Sequence, residues 1–127
     1  MAISVVDASA LSAVLFGEPA AAEIVDQLRG RTLAAPSLVV YELGNTCWKK
    51  CRRHPASATG LRKALATLPE LELQLLEVEP IEVLELAEAR ELTFYDAAYL
   101  WLATRLRARL VTLDRRLAQS FEGESPA

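Results

Sequence analysis

The chain has 127 residues, 52% of them hydrophobic and 24% charged, with a net charge of −3. That suits one domain with a real core and excludes a disordered chain. It holds no apolar run of membrane-spanning length, and its first residues lack the basic and apolar regions of an export signal, so the expectation is a cytoplasmic protein with no membrane contact.

The first element is Ile3-Ser4-Val5-Val6, a β-branched run that predicts a buried strand ending at Asp7. Helix formers fill residues 8–16 and Gly17 stops them. Pro19 opens a second helix to about residue 29, with Ala22, Ile24, Val25 and Leu28 as its apolar stripe. Residues 32–35 predict a second strand. Ser37 then reads as the N-cap of a helix running to about Arg53, because Pro55 cannot continue it. Ser57 or Thr59 caps another helix, ending near Leu68-Pro69. Alternating leucines at 71, 73 and 75 predict a third strand over 71–78. Pro80 starts a helix over 81–91, and Thr93 caps the next, over 94–108. A fourth strand covers 109–113 and a short last helix 114–119. The domain is expected to span 1–122, with 123–127 as a disordered tail.

Short apolar strands alternating with amphipathic helices predict an α/β fold. The expectation is a parallel sheet of four strands, a fifth being at most a vestigial edge, with helices on both faces. Ligands of such sheets bind at the C-terminal ends of the strands. Asp7 and Asp114 end the first and fourth strands, and they share a rim only if those strands are neighbours. The sequence leaves that open.

Three of the four aspartates, Asp7, Asp96 and Asp114, and with them Glu42, abut the most apolar segments of the chain. Burying a carboxylate is costly unless it is paired or bound to a metal. Each acid taken alone has an ordinary explanation. Asp7 and Asp114 can cap the helices that follow, and Thr93-Phe94-Tyr95-Asp96 reads as a capping box. Glu42 shares a helical face with Asn45, Lys49 and Arg53, which reads equally as a solvated stripe. Taken together, four carboxylates facing one cavity would repel each other without a cation, and hard cations such as Mg²⁺ take oxygen ligands.

The motifs Val5-Val6-Asp7-Ala8-Ser9-Ala10-Leu11, Pro36-Ser37-Leu38-Val39-Val40-Tyr41-Glu42-Leu43, Leu92-Thr93-Phe94-Tyr95-Asp96-Ala97-Ala98-Tyr99 and Leu110-Val111-Thr112-Leu113-Asp114-Arg115-Arg116-Leu117 come in this order along the chain. With them the sequence resembles the PIN-domain superfamily, and within it the VapC-type toxins of toxin–antitoxin pairs. The resemblance implies a Mg²⁺- or Mn²⁺-dependent endoribonuclease that hydrolyses RNA with metal-activated water. It implies Asp7, Glu42, Asp96 and Asp114 as metal-site acids. Thr112 would orient a carboxylate or a water, with Ser9 in a similar part near Asp7. It also implies a VapB-type antitoxin partner and a homodimer. Candidate RNA contacts are Ser9, Asn45, Lys49, Arg115 and Arg116, although Arg115 and Arg116 fit a solvated helix start equally well.

The basic block Lys49-Lys50-Cys51-Arg52-Arg53-His54 gives local positive charge in an acidic chain, as a nucleic-acid binder needs, and it reads as readily as a solvated face. The two cysteines, Cys47 and Cys51, make no disulfide framework. With His54 they give a C-x3-C-x2-H spacing, but no fourth zinc ligand is evident, so buried structural thiols are expected. Trp101 is expected in the core and Trp48, flanked by charge, on a partner surface. The other reading is a non-catalytic PIN-like module that binds RNA or protein, its acids serving as caps. A phosphoacceptor receiver domain fits poorly, since no lysine follows Lys63.

Overall fold

The computed structural model describes residues 2–124. Ser4, Val5 and Val6 in β1 (Ile3–Val6) are all fully buried. Successive strand side chains point to opposite faces, so both faces of β1 are covered. It lies inside a parallel four-stranded sheet of order β3-β2-β1-β4, with β2 (Thr32–Pro36), β3 (Gln74–Leu76) and β4 (Arg109–Val111). Val5 pairs with Ala34 on one side and Leu110 on the other, so β1 and β4 are neighbours. The Asp7 N–H donates to Val111 O at 3.1 Å and carries the pairing one step past the strand end. Ser4, polar inside the strand, accepts a hydrogen bond from Arg31 Nε, and Arg31 Nη2 donates to Ile3 O at 2.8 Å.

Seven helices complete the described residues. They are α1 (Ala8–Phe16), α2 (Ala21–Leu28), α3 (Val39–Arg53), α4 (Ala58–Ala66), α5 (Pro80–Arg90), α6 (Phe94–Leu106) and α7 (Arg115–Glu124). The expected α/β fold with helices on both faces of a parallel sheet is what forms. Helix α6 is buried from Ala97 through Leu100 and again at Leu102 and Ala103; it packs on β1, β2 and β4 between α5 and α7. Helix α1 packs with α2, α3 and α4. It ends at Gly17, whose φ of 65° is the left-handed conformation that favours glycine at a helix stop. No single helix among the described residues is long and apolar enough to cross a membrane.

Several boundaries differ from the sequence expectation. Ser37 does not cap α3; Leu38 holds that position without a side-chain bond, and Ser37 Oγ donates instead to Glu77 Oε1 at 2.6 Å. The third strand shrinks to Gln74–Leu76 because Leu68–Leu71 form a 3-10 turn and Glu72 takes a φ of 53°. The alternating leucines there pack a turn and a sheet edge rather than a long strand. No fifth strand is present among the described residues. After β4 the chain turns at Asp114 into α7, which runs through Gly123 to Glu124; the rest of the expected tail, 125–127, lies outside the described residues. Trp101 is half-buried rather than a core residue. Its indole N–H donates to Glu82 Oε1 at 3.0 Å, and the Arg105 guanidinium lies 5.5 Å from its ring centre. Together they place the ring in a cleft between α5 and α6.

Candidate active site

The parallel sheet delivers the ends of β1 and β4 to one rim. Asp7 is only 5% exposed there and caps α1. Its Oδ1 accepts from Ser9 Oγ at 2.7 Å and from the Ala10 N–H at 3.0 Å. Its Oδ2 accepts from Thr112 Oγ1 at 2.5 Å. Thr112 Oγ1 in turn accepts from the Asp114 N–H at 2.9 Å, and Ser9 Oγ accepts from the Leu113 N–H at 2.9 Å. Two hydroxyls therefore lace the two strand ends together. Asp114 caps α7, its Oδ1 accepting from the Leu117 N–H at 3.1 Å.

The other two acids arrive on helices. Glu42 sits in the first turn of α3, and Tyr99 Oη, from α6, donates to its Oε1 at 2.5 Å. Asp96 sits in the first turn of α6, where its N–H donates to the N-cap hydroxyl of Thr93 at 3.1 Å. Both carboxyls are half-buried.

These groups sense one another. Burial pushes the Asp7 carboxyl above the usual range, and the Asp114 charge adds to it against the hydrogen bonds from Thr112, Ser9 and Ala10. Burial likewise raises Glu42, where the charges of Asp7 and Asp96 outweigh, with burial, the bond from Tyr99. Burial raises Asp96 too, reinforced by Asp114 and Asp7 and opposed by Thr93 and Arg116. The ion pairs Arg29–Asp26, Lys50–Glu18 and Arg105–Glu82 leave all four acids aside. Like charges this close favour a bound cation, and an all-oxygen set of carboxylates and hydroxyls suits a hard divalent one. Among the described residues no three acids are already drawn into a tight ligand cluster.

Beside Glu42 a cleft of about 410 Å³ runs between α1 and α3, lined by Ser9, Ser12, Asn45, Lys49 and Leu113 among others. The structure thus brings Ser9, Asn45 and Lys49 together with Glu42. Arg115 and Arg116 stand apart from this lining, exposed at the start of α7, and Arg116 Nη2 donates to Glu91 O at 2.5 Å. Tyr99 joins the site without having been singled out from the sequence. The only signal for it was its place three residues after Asp96, on the same face of α6. Cys47 is a structural thiol: it is buried, donates to Leu61 O at 3.6 Å, and has its pKa raised by that burial.

An α/β domain with paired strand ends and a rim of mutually repelling carboxylates has the build of a nuclease domain. The PIN domain family profile matches residues 4–120, and the chain belongs to that family. It is similar to Exonuclease VapC9 of Pyrobaculum aerophilum, 38% identical over 93% of this chain and 85% of the relative. It is also similar to Ribonuclease VapC3 of the same organism (34% identical, 92% and 93% covered) and Ribonuclease VapC9 of Mycobacterium tuberculosis (31%, 96% and 94%). The crystal structure of PAE2754 from P. aerophilum matches with a TM-score of 0.79 at 32% identity, covering 96% of this chain and 87% of that one.

Proposed function

We propose that the chain is a Mg²⁺- or Mn²⁺-dependent endoribonuclease, the VapC-type toxin of a toxin–antitoxin pair. The observation that carries this reading is the geometry of the rim, where the paired ends of β1 and β4 bring Asp7 and Asp114 together through Thr112 and where Glu42 lines the adjoining cleft. In this reading Asp7, Glu42, Asp96 and Asp114 hold the cation, which is the general requirement of PIN nucleases. When bound, the ion supplies an activated water and charge stabilisation at the leaving oxygen.

The protein's own groups prepare the rest. Thr112 and Ser9 donate to the two oxygens of Asp7 and fix the direction of its remaining lone pairs. Tyr99 does the same for Glu42. Lys49 and Asn45, along the cleft from Glu42, meet the RNA phosphate and ribose beside the cut. Arg115 and Arg116 follow Asp114 and offer positive charge at the start of α7, outside the cleft, with Arg116 held to Glu91 O. A VapB-type antitoxin would inhibit by placing a basic side chain among the acids, and the chain forms a homodimer.

Cleavage of a labelled RNA, with and without chelator, tests this reading. Activity that survives chelation, or that survives both Asp7→Asn and Asp96→Asn, overturns it. Calorimetric Mn²⁺ titration separates it from a non-catalytic binding module, which takes up no metal. One relative is named an exonuclease. A circular RNA distinguishes the modes, because only an endonuclease opens it.

A further inference from the structure

The C-x3-C motif of α3 is used by neither the rim of acids nor the cleft beside it. Cys47 and Cys51 stand four residues apart, so their side chains leave the same face of the helix, one turn from each other. Cys47 is buried, Cys51 is half-buried, and the two thiols lie within hydrogen-bonding contact of each other. Cys47 also donates to Leu61 O, on α4, at 3.6 Å, a long contact from a weak donor. Arg62, on α4, and Lys50 stand close enough for their charges to favour a thiolate at Cys47. His54, at the end of α3, is exposed, and no third His, Cys, Asp or Glu among the described residues completes a cluster with the pair. Structural zinc, which takes four ligands, therefore has no cage here.

We propose that Cys47 and Cys51 form a two-coordinate site for a soft monovalent cation, Cu⁺ above all, held between two thiolates where α3 meets α4. Each thiol gives up its proton as the ion enters, so one Cu⁺ displaces two protons and the loaded pair carries one net negative charge. Arg62 and Lys50 answer that charge. Thiolates are the donors that select Cu⁺. Spacing argues for an ion rather than a disulfide. At this interval on a helix the β-carbons are about 5–6 Å apart. A disulfide needs about 3.5–4.5 Å between them and would force the turn open. Two metal–thiolate bonds in line, at about 2.3 Å each, span about 4.6 Å, which the sulfurs reach by side-chain rotation with the helix intact. The acids of the rim are hard oxygen donors and do not compete for this ion, so the proposal is independent of the ribonuclease reading.

The test titrates the full chain, reduced and under nitrogen, with Cu⁺ in competition with bicinchoninate, whose coloured complex bleaches as the protein takes the ion. The wild type is expected to take up a single equivalent and to gain in Tm, because a site built by the fold binds the native state better than the unfolded chain. Cys51→Ser, at a half-buried position that tolerates serine, should lose the uptake, and so should Cys47→Ser. Cys51→Met, which keeps a soft donor, should retain part of it. The proposal is overturned if Cys51→Ser takes Cu⁺ from the competitor as the wild type does. It is also overturned if the wild type binds without any gain in Tm, which would make the uptake a property of any unfolded C-x3-C segment. Mn²⁺ affinity of Cys51→Ser, expected to equal that of the wild type, keeps the result separate from the metal reading of the acids.

Discussion

Asp7 and Asp114 stand at the ends of paired strands, whereas Glu42 and Asp96 stand in the first turns of two helices. The strand pair is held from several sides. Asp7 receives three hydrogen bonds, and Thr112 passes the connection on to the Asp114 backbone. Glu42 has one donor, Tyr99, and the Asp96 carboxyl depends on the hydroxyl of Thr93. One half of the rim is therefore a prebuilt frame, and the other half consists of arms that a cation would draw in. The difference teaches that a shared electrostatic site does not require equal rigidity in its parts.

The largest expected effect treats both halves alike. Asp7→Asn and Asp96→Asn should each lower RNA cleavage by about a thousandfold or more, with an unchanged circular dichroism spectrum, because several kcal/mol of charge stabilisation disappear. Loss from only one of them would break the idea of a single site. Next comes the frame. Thr112→Val leaves Asp7 Oδ2 and the Asp114 N–H without their partner, so denaturant melts should show a loss of about 1–3 kcal/mol. Mn²⁺ affinity should also fall by about tenfold or more.

Tyr99→Phe probes an arm instead. With one bond removed from a half-buried carboxylate, the loss should be about 1 kcal/mol, smaller than for Thr112→Val under the same conditions. Equal losses would erase the distinction between frame and arm. The smallest effect is a slope. Asp7, Glu42 and Asp96 all have native pKa values raised above those of the unfolded chain. Their contribution to stability is therefore fully present below about pH 4 and is lost as pH rises through the raised native values. A bound cation removes that loss, so the gain in Tm on adding Mn²⁺ should be larger at pH 7.5 than at pH 5. A gain independent of pH would mean that these carboxyls do not share the ion.

Much of the site was legible from local chemistry. A carboxylate after a β-branched strand is a cap as well as a candidate ligand, and both Asp7 and Asp114 do cap the next helix. Thr93 caps α6 as its spacing from Asp96 implied. These signals work because a cap and the N–H it answers lie within three residues, so a single stretch of sequence contains the whole interaction. Ser37 shows the weakness of the same logic. It has the right chemistry for a cap, but Glu77, forty residues away, takes its hydroxyl.

The sequence by itself determined the class of fold, through the alternation of β-branched runs with helical periodicity, and its resemblance to a family singled out the four acids as candidates. Tertiary structure alone decided that β1 lies beside β4, that Thr112 meets Asp7 across 105 positions, and that Tyr99 meets Glu42 across 57. The same holds for β3, where an edge position and a turn at Leu68–Leu71 overrode the alternation of leucines. Periodicity records which side of an element seeks the core, but it carries no address for the partner. That address is set by packing all the elements at once, and it is packing that turned four separate carboxylates into one rim.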